Sequence, residues 1–212
     1  MPLLSDAGPI LKATARDSAW ANVRDGGDWL SLHGAPYSRR MTTPPGKVLA
    51  INITPRGGDM PQPVQSIQAI PGRGLEGDRY NLGKGSFQKP GEKLQPGSEA
   101  TLIENEAIEG LEREHGITIT PAQSRRNILT QGVSLNDLIG KEFTVGVVRM
   151  KGIRPCRPCD HLESKTQPGV KAGLANRGGL RAQILTEGII RVGDPVLIVT
   201  PATRQEAVGA GT

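Results

Sequence analysis

A chain of 212 residues has room for one ordinary domain with a core of its own and a small appendage; with 36% hydrophobic residues, 3% aromatics, 28 glycines and 17 prolines, it is too punctuated for a helical bundle and suits a turn-dense, β-containing fold. The net charge of +5 would attract nucleic acid, but beyond residue 45 only Tyr80, Phe87 and Phe143 are aromatic, too few for a base-stacking surface, and no nucleic-acid-binding motif is present. No apolar run nears the ~20 residues that cross a bilayer, and the start MPLLSDAGPILK lacks a basic and then apolar leader, so a cytoplasmic protein is expected.

Residues 1–45 read as a separate N-terminal extension ending in the Pro/Gly break RRMTTPPG. Trp20, Trp29 and Tyr37 give it the means to dock; undocked, it is a mobile arm. From Lys47 the pattern turns β-like. KVLAINIT (47–54) and VQSIQAI (64–70) are expected strands joined by a Pro/Gly-rich hairpin loop, followed by a glycine-dense loop over 71–97. ATLIE starts as a strand at Ala100 and gives way to a helix from Asn105 to His115, with Ala107, Ile108 and Leu111 on one side and Gly116 as its stop. RRNILTQG (125–132) and EFTVGVVRM (142–150) are each expected as one strand, with the turn LNDLIG between them. PGVKAGLAN (168–176) forms a short helix, LRAQILTEG and PVLIVT give two final strands, and 201–212 is a polar tail. The expected fold is mainly β with a few short helices, an antiparallel barrel closed or nearly closed, over 46–200.

Positive charge gathers around the two cysteines. Between Gly146 and Arg181 there are eight basic residues (Arg149, Lys151, Arg154, Arg157, Lys165, Lys171, Arg177, Arg181) against two acidic ones (Asp160, Glu163). Cys156-Arg157-Pro158-Cys159, with His161 nearby, is a single C-x-x-C pair; a structural zinc site needs four ligands and there is no second pair. A thioredoxin-like dithiol needs a βαβ setting that the flanks do not supply. Buried, inert sulfur is the plain alternative. Arg154 and Arg157 beside the thiols, and a helical turn opening at DHLE, favour thiolate over thiol and point to a reactive or metal-ligating sulfur, foremost Cys159.

Three further runs stand out. GRGLEGDRYNLGKGSF (72–87) matches no nucleotide-binding pattern, yet offers backbone amides and Arg73, Arg79 and Lys84 to an anion. In SRRNILTQG the adjacent Arg125 and Arg126 lead into a strand, so alternation would send at most one inward. In NRGGLRAQ the glycines permit close backbone approach and Arg181 opens a strand.

Taken in order, GLEGDRY, RRNILTQGVSLNDLIGKEF, PCRPCDHLE and GLRAQILTEGIIRVGDPV resemble the MOSC domain, the module named after the C-terminal part of molybdenum cofactor sulfurase, in its stand-alone bacterial form. The resemblance spans about 47–199 and implies a β-barrel-like fold that binds the molybdenum cofactor or transfers sulfur to it through the family's cysteine. By its place before the HLE-like segment that cysteine is Cys159, the implied molybdenum ligand; Cys156 is additional. Arg79, Arg125, Arg126, Arg154 and Arg181, with Asp78 of GLEGDRY, are the implied cofactor-binding residues. Reductase-type relatives imply reduction of N-oxygenated small molecules with electrons from a reductase partner. The alternative is a sulfur carrier whose Cys159 receives a persulfide from a cysteine desulfurase, since 45 residues cannot hold a pyridoxal-phosphate domain.

Overall fold

The computed structural model describes residues 45–86, 88 and 91–199. The extension expected over 1–45, apart from Pro45, and the tail expected over 201–212 lie outside them. Eleven strands and three short helices follow one another among the described residues: β1 (Gly46–Ile53), β2 (Gln62–Val64), β3 (Ser66–Ile70), β4 (Gly74–Leu75), β5 (Ala100–Glu104), α1 (Asn105–His115), β6 (Ile128–Gln131), β7 (Glu142–Val145), β8 (Val148–Pro155), α2 (Asp160–Ser164), α3 (Val170–Gly173), β9 (Leu180–Ile184), β10 (Gly188–Arg191) and β11 (Pro195–Ile198). Seven of them close a barrel in the order β11-β7-β8-β9-β5-β6-β1, with β11 returning to β1 through Gly46↔Val196 and Lys47↔Pro195. The far half of the same β1 edge carries β2, and β10-β3-β4 form a small second sheet. Among the described residues no helix is long and apolar enough to cross a membrane.

The barrel interior is filled by side chains such as Phe143, Met150, Ile51, Leu102 and Ile128, each with essentially no exposed surface. Val48 and Ile51 both point into it although an odd spacing along a strand should send them to opposite faces. A bulge between Val48 and Ala50, opposite β6, absorbs the extra residue and restores the inward phase. Outside the barrel, α1 lays Ala107, Ile108 and Leu111 on β5 and β6, and Leu162, Val170 and Leu174 complete this second core. Gly116 ends α1 in the left-handed conformation (φ 65°), its N–H donating to the Glu112 carbonyl. The second core also fixes the cysteine loop: Leu162, on one side of α2, anchors the segment that follows Cys159.

The expected mainly β barrel is the observed one, with four local corrections. β5 and β6 run parallel, because α1 carries the chain back over the outside between them. VQSIQAI is two strands: at Gln65 the chain leaves β1 for the second sheet. EFTVGVVRM is a hairpin, turned at Gly146 (φ 57°), and β8 runs on to Pro155. Finally, GIIR forms β10 beside β3, a strand too short to stand out in the sequence.

Candidate functional site

A cleft of about 430 Å³ opens at one end of the barrel. Its walls come from residues far apart in the chain: Asn52 and Thr54 where β1 ends, Asp78, Arg79 and Tyr80 after β4, Thr101 in β5, Arg125 to Asn127 before β6, Cys156 and Cys159 after β8, and Arg181 in β9.

The floor is a closed hydrogen-bond network. Asp78 is buried, and its carboxylate accepts from the backbone N–H of Thr54 (3.0 Å) and Tyr80 (3.1 Å) and from Asn127 Nδ2 (3.3 Å). These bonds, with Arg79 N–H to the Thr54 carbonyl at 2.9 Å, tie the GLEGDRY loop to β1 and fix where Arg79 leaves the backbone. Asn127 is equally committed: its Oδ1 accepts from Thr101 N (3.1 Å) and Thr101 Oγ1 (2.8 Å), and its Nδ2 also donates to the Asn52 carbonyl (3.3 Å). Beside them, Asn52 is 3% exposed, and its Nδ2 has no hydrogen-bond partner among the described residues.

Arg126 holds the cysteine loop. Its guanidinium donates to the Gly178 carbonyl (2.9 Å), the Ser124 carbonyl (3.1 Å) and the Cys156 carbonyl (3.2 Å), so one buried cation joins the approach to β6, the exit of β8 and the approach to β9. The Cys156 N–H adds a bond to the Gly179 carbonyl at 2.7 Å. Here the close approach expected of the glycines is real. A Cβ on Gly179 (φ 104°) would strike the Leu102 carbonyl, and one on Gly178 would lie 2.6 Å from the Cys156 carbonyl oxygen. Cys156 is buried and Cys159 exposed, both free thiols. Cys159 caps the five-residue α2, its carbonyl accepting from the Glu163 N–H at 3.1 Å; a single turn carries little macrodipole.

Arg125 departs from the expectation that one of the two arginines would face away. The strand starts only at Ile128, and Arg125 takes the left-handed conformation (φ 58°) at the end of a 3₁₀ turn, so strand alternation does not govern the pair and both line the cleft. Unlike Arg126, the half-buried Arg125 side chain makes no hydrogen bond or ion pair with any described residue. Burial first, and then the neighbouring cations Arg79 and Arg126, push its guanidinium below the ordinary arginine range. Arg79 lies 4.9 Å from the centre of the Tyr80 ring. Arg181 makes one long bond to the Gly97 carbonyl (3.4 Å).

Of the residues singled out in the sequence, the cleft thus unites Asp78, Arg79, Arg125, Arg126, Arg181 and Cys159. Arg154 pairs across the ladder with Arg181 but lines an adjoining cavity with Lys93, Tyr80 and Ser98, apart from Cys159. Sequence reasoning missed Asn52, Thr101 and Asn127. Asn52 left a signal: an asparagine inside the apolar strand KVLAINIT, where that residue type is disfavoured.

Residues 90–197 match the family model of the MOSC domain. No curated protein is significantly similar to the chain. Its fold is similar to crystal structures of YiiM from Geobacillus stearothermophilus (TM-score 0.56, 18% identity, covering 74% of this chain and 76% of that one) and of the YuaD protein from Bacillus subtilis (TM-score 0.60, 14% identity, 72% and 94%). YiiM from Escherichia coli is also similar (TM-score 0.52, 18% identity, 73% and 70%).

Proposed function

The chain belongs to the MOSC domain family, and on that footing we propose that it binds the molybdenum cofactor in the cleft, with the Cys159 thiolate as a ligand to molybdenum. The single observation that carries this reading is Arg125: a half-buried cation, crowded by Arg79 and Arg126, offset only weakly by the charge of Asp59 and with no hydrogen bond or ion pair from its side chain among the described residues, is a place prepared for an anion. The cofactor's phosphate and metal centre are anionic, and a soft thiolate at the mouth of the same cleft suits molybdenum.

The protein's own residues divide the work. Arg125, Arg79 and Arg181 neutralise the bound anion and orient it. Among the described residues the Arg126 guanidinium donates only to backbone carbonyls, and it positions the loop that carries Cys156 and Cys159, while Asp78 positions Arg79. Bound there, the cofactor would supply a redox-active metal for the reduction of N-oxygenated small molecules, with electrons from a separate reductase. We place this work in the cytoplasm, where two free thiols stay reduced.

The exposure of Cys159 favours one second reading, a sulfur carrier fed by a cysteine desulfurase, because a partner protein can reach that sulfur. Protein produced in a host that makes the cofactor decides between them. The cofactor reading predicts molybdenum and pterin in near-equal amounts with the purified chain. Metal-free protein that gains about 32 mass units, one sulfur atom, on incubation with a desulfurase and cysteine would replace it with the carrier.

A further inference from the structure

Among the described residues, the floor of the cleft holds one buried side-chain donor that is unused. Asp78, Asn127 and Thr101 are bonded to one another and to backbone. Asn52 among them is 3% exposed and lines the cleft, yet its amide nitrogen has no partner among the described residues. Its backbone is pinned from both directions: the Asn52 N–H donates to the Asn127 carbonyl at 2.6 Å, and the Asn52 carbonyl accepts from Asn127 Nδ2 at 3.3 Å. The backbone that carries the amide is therefore fixed against the cleft. A buried donor left unmade is costly, and a leucine of similar size would remove that cost. Its place at the edge of the cleft fits a ligand that completes it.

We infer that Asn52 is a binding residue that donates a hydrogen bond to the heterocycle of the cofactor, at a ring carbonyl or ring nitrogen. This rests on the cofactor-binding reading. The assignment to the heterocycle follows from charge. Arg125, Arg79 and Arg181 already present cations to the anionic groups, whereas the amide of Asn52 is neutral and offers one donor and one acceptor group, the complement of a lactam edge.

The test loads metal-free protein anaerobically with molybdenum cofactor released from a denatured molybdoenzyme, desalts it, and measures retained pterin as its fluorescent oxidation product. Asn52→Leu is expected to retain about tenfold less pterin than the wild type, a loss the size of one buried hydrogen bond, while its empty form melts at or above the wild-type temperature. Protection of the empty protein by inorganic phosphate is expected to be unchanged in Asn52→Leu and to need about tenfold more phosphate in Arg125→Gln. Should Asn52→Leu fail to fold, Asn52→Ala carries the same retention test. Equal retention by the wild type and the Asn52 variant overturns the inference alone, as does a lower melting temperature of the empty, folded leucine variant, which would make the amide a support of the fold. A wild type that retains no pterin overturns the cofactor-binding reading and this assignment with it.

Discussion

On the floor of the cleft the Asp78 carboxylate accepts three hydrogen bonds and the Arg126 guanidinium donates three; on the rim the guanidinium of Arg125, the residue just before Arg126 in the chain, donates none to any described residue. Both regions carry arginine, and the arginines differ in what they are bonded to. Apart from Asn52, the groups on the floor are satisfied and fix the backbone of three loops, whereas on the rim the Arg125 guanidinium has no hydrogen-bond partner among the described residues. The contrast teaches that an arginine in a cleft is not by itself a ligand-binding arginine. Where its donors go decides which kind it is.

The comparison breaks most visibly at Arg126. Arg126→Ala leaves the carbonyls of Ser124, Cys156 and Gly178 without their buried donor, and is expected to cost about 3 kcal/mol or more in urea denaturation. Arg126→Lys recovers little, since one ammonium cannot reproduce the planar fork. At Arg125 the opposite pattern is expected. Arg125→Gln removes a cation already crowded by two others, so stability stays within about 0.5 kcal/mol of the wild type, or rises, while affinity for phosphate falls about tenfold. An Arg125→Gln variant as unstable as Arg126→Ala would erase the distinction between floor and rim.

A control away from the cleft has the smallest effect. Glu114 on α1 binds Arg177, ahead of β9, through both oxygens, at 3.1 and 2.6 Å. The hydrogen bonds from Arg177 hold the Glu114 carboxyl at about 2, below its usual 4.5. A depressed carboxyl stabilises the fold above its unfolded value and ceases to do so as pH falls through its folded value. Glu114→Gln should therefore lower the melting temperature by on the order of 1 °C at pH 6, and the gap should close between pH 4.5 and 2. Cofactor retention should not change.

Much of this was legible in the sequence where the signal is local. The apolar spacing of Ala107, Ile108 and Leu111 with Gly116 behind them located α1, and the runs of β-branched residues located most of the barrel. Long-range pairing left no such mark. EFTVGVVRM reads as one strand because only the positive φ at Gly146 reveals its turn, and the parallel placement of β5 and β6 depends on α1 crossing outside them. In the site, the cysteine loop and the arginines were visible as a concentration of charge. The division between Arg125 and Arg126 was not, because it depends on a left-handed residue at Arg125 and on carbonyls of Cys156 and Gly178 contributed from far along the chain. Asn127 stood inside a recognised run and was passed over, since the four bonds of its side chain reach strands β1 and β5 and the GLEGDRY loop, which the sequence does not show to be neighbours.

The central claim is that the exposed sulfur of Cys159 meets the metal, and molybdenum K-edge absorption of the loaded protein tests it without reference to turnover. The wild type is expected to show one sulfur neighbour more than Cys159→Ser, with pterin still present in the variant because the arginines that hold it are intact. An identical sulfur count in the two proteins would contradict the claim.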